Sequence, residues 1–124
     1  MKRKMLNTAP VFSQTDMAHA GASETAPVLE IVTFRPKDGT PLDQFLSAAE
    51  GTEALLRDRG ALIRRYLTVD DGGLWTDVIE WTSLPEALAA AEQVLQHPDF
   101  APFGEMIDPA SVNMRHAAIL WRME

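Results

Sequence analysis

Apolar and polar positions alternate in a way that divides most of the chain into short elements. Val28 to Phe34 (VLEIVTF) is β-branched and apolar on both alternating sets, Val28, Val32, Phe34 and Leu29, Ile31, which predicts a strand covered on both sides. After the turn Lys37-Asp38-Gly39, Thr40 stands as a helix cap before Pro41, with Asp43 suited to the dipole of the first turn. Leu42, Phe45, Leu46, Ala49 and Leu56 recur at helical spacing, and Arg57, Arg59 and Gly60 end that helix. Ala61 to Val69 and Leu74 to Thr82 are strand-like runs joined by Asp70-Asp71-Gly72-Gly73, a tight hairpin.

Ser83 and Glu86 have capping-box spacing at the start of a second helix, with Leu84, Ala87, Leu88, Ala91 and Leu95 as its apolar stripe and His97-Pro98 as its end. Asp99 to Met106 reads as one or two helical turns interrupted by Pro102, Asp108-Pro109 as a turn, and Val112 to Met123 as the last strand. The order β-α-β-β-α-β predicts an α+β, ferredoxin-like sandwich: a four-stranded antiparallel sheet with both helices on one face. The other face is then bare although its residues are apolar. A second copy covering it resolves the conflict, so a homodimer closing into an α+β barrel is expected.

Residues 1–27 are rich in Ala, Ser, Thr and Pro without sustained periodicity, which predicts a mostly disordered arm ahead of a single domain over residues 28–124. Translation starting at Met5 or Met17 and an arm that docks on an acidic partner subunit are the other readings of this stretch.

With 11 Lys plus Arg against 18 Asp plus Glu, the formal charge of the 124 residues is −7. The arm carries about +1 (Lys2, Arg3 and Lys4 against Asp16 and Glu24), which leaves −8 on the domain. Polyanion binding depends on clustered cations, so neither nucleic acid nor an anionic membrane is expected as a partner. No apolar run approaches the ~18 residues of a membrane span, and Lys2 to Lys4 precede no continuous apolar stretch of the kind found in a signal peptide. A cytoplasmic protein is expected. There is no Cys, and the three His lack HxxxH or HxH spacing, so no metal site is expected. Gly72-Gly73 leads into a strand rather than a helix, which is wrong for a phosphate loop, and no nucleophile elbow is present.

The strand VLEIVTF, the run Thr76-Asp77-Val78-Ile79-Glu80-Trp81 and the segment His97 to Gly104 (HPDFAPFG) resemble the dimeric α+β barrel superfamily, which includes antibiotic-biosynthesis monooxygenase-like and stress-responsive A/B-barrel proteins. The resemblance covers the domain, nearly four-fifths of the chain. It implies a cavity between the helices and the sheet, and activities that range over cofactor-independent oxygenases of polyphenolic polyketides, polyketide cyclases and haem-degrading oxygenases. A plant polyketide cyclase of the A/B-barrel group has a similar H-P-x-x-x-x-F-G segment. Its catalytic His falls at Phe100 here and a second His at Asp77, so this chain departs at both positions.

By that comparison Glu30, Asp77 and Trp81 face the helices. An acidic side chain there must be paired or protonated. Two carboxylates near each other would repel, raising one pKa and supplying a general base; alternatively Glu30 pairs with Arg64, Arg65 or Arg115, or sits at a hydrated subunit seam. His116, in the last strand, is a candidate base or oxygen-polarising group, or a strand histidine bonded to a neighbouring side chain. His97 caps a helix end as an imidazolium or belongs to the site. Tyr66, Trp81 and Phe100, with Trp75, Trp121 and Phe103, either wall a pocket for a flat apolar ligand or fill the core and the dimer seam.

The expectation is therefore a homodimeric protein that binds a small apolar or aromatic ligand without cofactor or metal. It acts as a monooxygenase-like enzyme through Glu30, Asp77 and His116, with Tyr66, Trp81, His97 and Phe100 holding the ligand. The alternatives are a non-catalytic ligand-binding or stress-response dimer and a haem-handling protein.

Overall fold

A computed structural model of the chain describes residues 26–124, and the arm expected over 1–27 lies almost wholly outside them. The observed elements are β1 (Val28–Phe34), α1 (Leu42–Glu50), α2 (Glu53–Arg57), β2 (Leu62–Val69), β3 (Trp75–Trp81), α3 (Leu84–Gln96), α4 (Ala101–Gly104) and β4 (Asn113–Ala118). Single 3-10 turns at Pro98–Phe100 and Pro109–Ser111 flank α4. The four strands form one antiparallel sheet in the order β2-β3-β1-β4. Among the described residues no helix is long and apolar enough to cross a membrane.

Five local expectations are corrected in whole or in part. The first helix is two, because Gly51 and Thr52 adopt near-3-10 angles and Thr52 bonds back to Ala49 through both its N–H and its hydroxyl. Thr40 does not cap it: the Thr40 hydroxyl donates to the Lys37 carbonyl instead. On α3 the buried stripe is Ala87, Ala90 and Val94, while Leu88 and Leu95 are exposed. Small side chains let that helix lie close to the sheet, and the larger leucines sit outside the contact. Ser83 does cap α3, accepting from the Glu86 N–H, but the Glu86 side chain pairs with Arg59 and the reciprocal half of the capping box is missing. The last strand stops at Ala118, and 119–124 leave the sheet.

Strand parity sends Val28, Glu30, Val32 and Phe34 of β1 and Trp75, Asp77, Ile79 and Trp81 of β3 to the helix side. Two buried clusters meet there. One joins Val28, Ile79 and Trp81 to Ala87, Ala90 and Val94 of α3 and to Leu56; the other joins Phe34 and Trp75 to Phe45 of α1 and Phe103 of α4. Phe45 stands at the centre of the second, its ring 4.9 Å from Trp75 and 5.1 Å from Phe103.

The opposite face carries Leu29, Ile31 and Val78, all partly exposed, and Tyr66, which is 58% exposed. Its one buried charge is Glu80, held by Arg64 at 3.3 Å and by Arg122 of the C-terminal segment, which therefore lies across this face. The hydrogen bond to Glu80, reinforced by its charge, raises the Arg122 pKa above its ordinary value.

Removal of a central ring leaves a cavity that neighbouring rings only partly fill. Phe45→Ala is expected to lower stability by about 3 to 5 kcal/mol in urea unfolding, with the fold retained.

Candidate functional site

A cavity of about 260 Å³ lies between the helix side of the sheet and α3 and α4. Its existence follows from residue size. Over the middle of β1 and β3 the helix presents Ala90 and Ala91, and the sheet presents Glu30 and Asp77, so no large apolar side chain fills the space between them. Phe100 and Phe103 close one end, with their rings edge to face at 5.8 Å. Gly104 makes that arrangement possible: a Cβ there would stand 2.7 Å from the Phe100 ring. Val112 and Met114, at 46% and 37% exposure, form the rim toward solvent.

Cross-strand register explains how the polar groups are shared. On the helix side one row runs Arg65, Ile79, Glu30 and His116, taken from β2, β3, β1 and β4 in turn. Residues directly opposite share a face and touch. Glu30 thus meets His116, whose Nε2 lies within hydrogen-bond distance of Oε1 at 3.2 Å. Ile79 separates Glu30 from Arg65, and Arg64 and Arg115 project from the opposite face, so none of the three arginines weighed for Glu30 is its partner.

Asp77 is the diagonal neighbour of Arg65 and receives both arms of its guanidinium, Nε–H to Oδ1 at 2.8 Å and Nη2–H to Oδ2 at 2.7 Å. The remaining arm, Nη1–H, donates to the Thr52 hydroxyl at 2.9 Å. That hydroxyl donates in turn to the Ala49 carbonyl at 2.6 Å, so the break between α1 and α2 supplies the last partner of the network. Arg65 also stands over the Phe103 ring, with Cζ 5.8 Å from its centroid.

Glu30 and Asp77 are both 5% exposed and are diagonal rather than directly opposed neighbours across β1 and β3. Each has a different partner. Mutual repulsion is therefore not what organises the pair.

Of the residues expected at the site, the structure brings together Glu30, Asp77, Trp81 and Phe100 on the cavity wall, with His116 behind Glu30. The indole N–H of Trp81 is buried without a hydrogen-bond partner. Two of the expected residues lie elsewhere. Tyr66 has the parity of Arg64 and faces away from the cavity. His97 caps the 3-10 turn that follows it, its Nδ1 accepting from the Asp99 N–H at 3.1 Å.

Sequence reasoning missed Thr52 and Arg65 as wall residues. The signal for Arg65 was available: consecutive arginines in a strand must go to opposite faces, and the hairpin fixes which one meets Asp77. Thr52 had no such signal, because its role arises from a helix break that the apolar spacing did not announce. Among the described residues no three His, Asp or Glu side chains converge as metal ligands would.

No family profile and no curated protein matches this chain. Solved structures do. A candidate antibiotic biosynthesis monooxygenase from Bordetella bronchiseptica superposes with a TM-score of 0.63 at 16% identity, over 77% of this chain and 99% of the other. SnoaB, a cofactor-independent oxygenase from Streptomyces nogalater, gives 0.53 at 20% identity over 80% and 96%. A dimeric ferredoxin-like protein of unknown function from Thermobifida fusca gives 0.56 at 19% over 75% and 91%. The chain has a ferredoxin-like α+β fold. At these identities the likeness is one of fold.

Removing one member of a buried ion pair strands the other. Arg65→Met is expected to cost about 3 to 5 kcal/mol in chemical denaturation, and adding Asp77→Leu should recover most of that loss. A double variant no more stable than the single one would contradict the role given to the pair.

Proposed function

We propose that this protein is a cytoplasmic homodimer that binds a small aromatic molecule in the cavity of each subunit and oxidises it as a cofactor-independent, monooxygenase-like enzyme. The observation that carries this reading is a buried carboxylate, Glu30, on the wall of an otherwise largely apolar cavity with His116 bonded behind it. Glu30 takes the proton of a phenol or an activated C–H group, and His116 holds the carboxylate in place as the proton arrives. The resulting electron-rich anion is itself the reductant for dioxygen; one oxygen atom enters the product and the other leaves as water. SnoaB, named as a cofactor-independent oxygenase on the same fold, supports the reaction class. Neighbours described as dimeric support the assembly, as does the partly exposed apolar face with Leu29, Ile31 and Val78.

Native mass spectrometry is expected to give a dimer at micromolar concentration, and a strictly monomeric spectrum would contradict the assembly. With electron-rich phenols and anthrones, an oxygen electrode should record uptake that falls by about 10²-fold or more in Glu30→Gln while circular dichroism is unchanged. Binding without any oxygen uptake would favour a non-catalytic ligand carrier.

A further inference from the structure

We infer that the cavity selects its ligand by charge, taking uncharged aromatics of about two fused rings and refusing carboxylates, with Asp77 as the specificity-determining residue. This deepens the proposed function and rests on the cavity being a ligand site.

Among the described residues that line the cavity, three are ionisable: Glu30, Arg65 and Asp77. Arg65 is the only cation, and it is the group an anionic ligand would need. Its guanidinium is already engaged on three sides, two of them by Asp77 at 2.7 and 2.8 Å and one by Thr52 at 2.9 Å. The bidentate pair neutralises it in the geometry a ligand carboxylate would otherwise adopt. Glu30 then leaves the wall with one net negative charge, or none when His116 behind it is protonated. A buried carboxylate from a ligand would lose its hydration and find no free partner. The longer-range field acts the same way, because the domain carries −8 by formal count.

Size follows from the volume. A cavity of roughly 150 Å³ takes a single benzene ring, so about 260 Å³ accommodates two fused rings, and a longer ligand emerges between Val112 and Met114. Glu30 remains as acceptor for one hydroxyl of such a molecule.

Isothermal titration of the full-length protein at pH 7 with 1-naphthol and with 1-naphthoate tests this, since the two probes share a ring system and differ in charge. Wild-type protein is expected to bind naphthol at least about tenfold more tightly. Asp77→Asn frees the Arg65 guanidinium, and Glu30→Gln removes the other negative charge. Each should improve naphthoate binding by about tenfold and narrow the gap. Naphthoate binding wild type as tightly as naphthol overturns the charge selection and leaves the ligand site standing. A gap that neither variant narrows overturns the role of these carboxylates, and the wild-type comparison stands even where a variant does not fold. Failure of both probes to bind overturns the ligand-site reading and this inference together.

Discussion

Two carboxylates on the helix side of the sheet set the terms for everything around them. A charged oxygen removed from water needs a partner of opposite charge or a set of donors, and Glu30 and Asp77 are both buried. The partners come from the two edge strands, Arg65 from β2 and His116 from β4, so both edges are tied electrostatically to the centre of the sheet. Thr52 completes the arginine's bonding from the helical layer. The polar network therefore spans both layers of the sandwich through a region that hydrophobic packing leaves open.

Much of the fold was legible because its signals are local and redundant. The β-branched apolar run of β1, the Asp-Gly hairpin between β2 and β3 and the Ser83 cap each point to the same topology. The errors share a cause. Spacing identifies which positions of a helix can face inward, not how close the helix will come. Ala87 faces the sheet as expected, but Ala90 and Val94 join it in place of Leu88 and Leu95, because the small residues allow the closer approach.

The candidate site was partly legible for a related reason. Glu30 and Asp77 stand out in sequence as acids in strands, and the resemblance to the polyketide cyclase implied that both face the helices, where they lie. Their partners depended on register, which needs a hairpin turn and the long connection to β4 to be counted without error. Once that register is known, the Ile79 between Glu30 and Arg65 explains the outcome. Tyr66 pairs with Val78 and so shares the face opposite to Asp77 and Ile79.

Gly104 sets the position of the Phe100 ring at the closed end of the cavity, although it contributes no side chain of its own. The ion pairs that determine the cavity's charge lie on the strands. Depth and polarity are therefore controlled by separate parts of the chain. Descendants of this sequence could change the length of the molecule they accept by altering one small residue beside an aromatic ring, while the preference for charge passed unchanged.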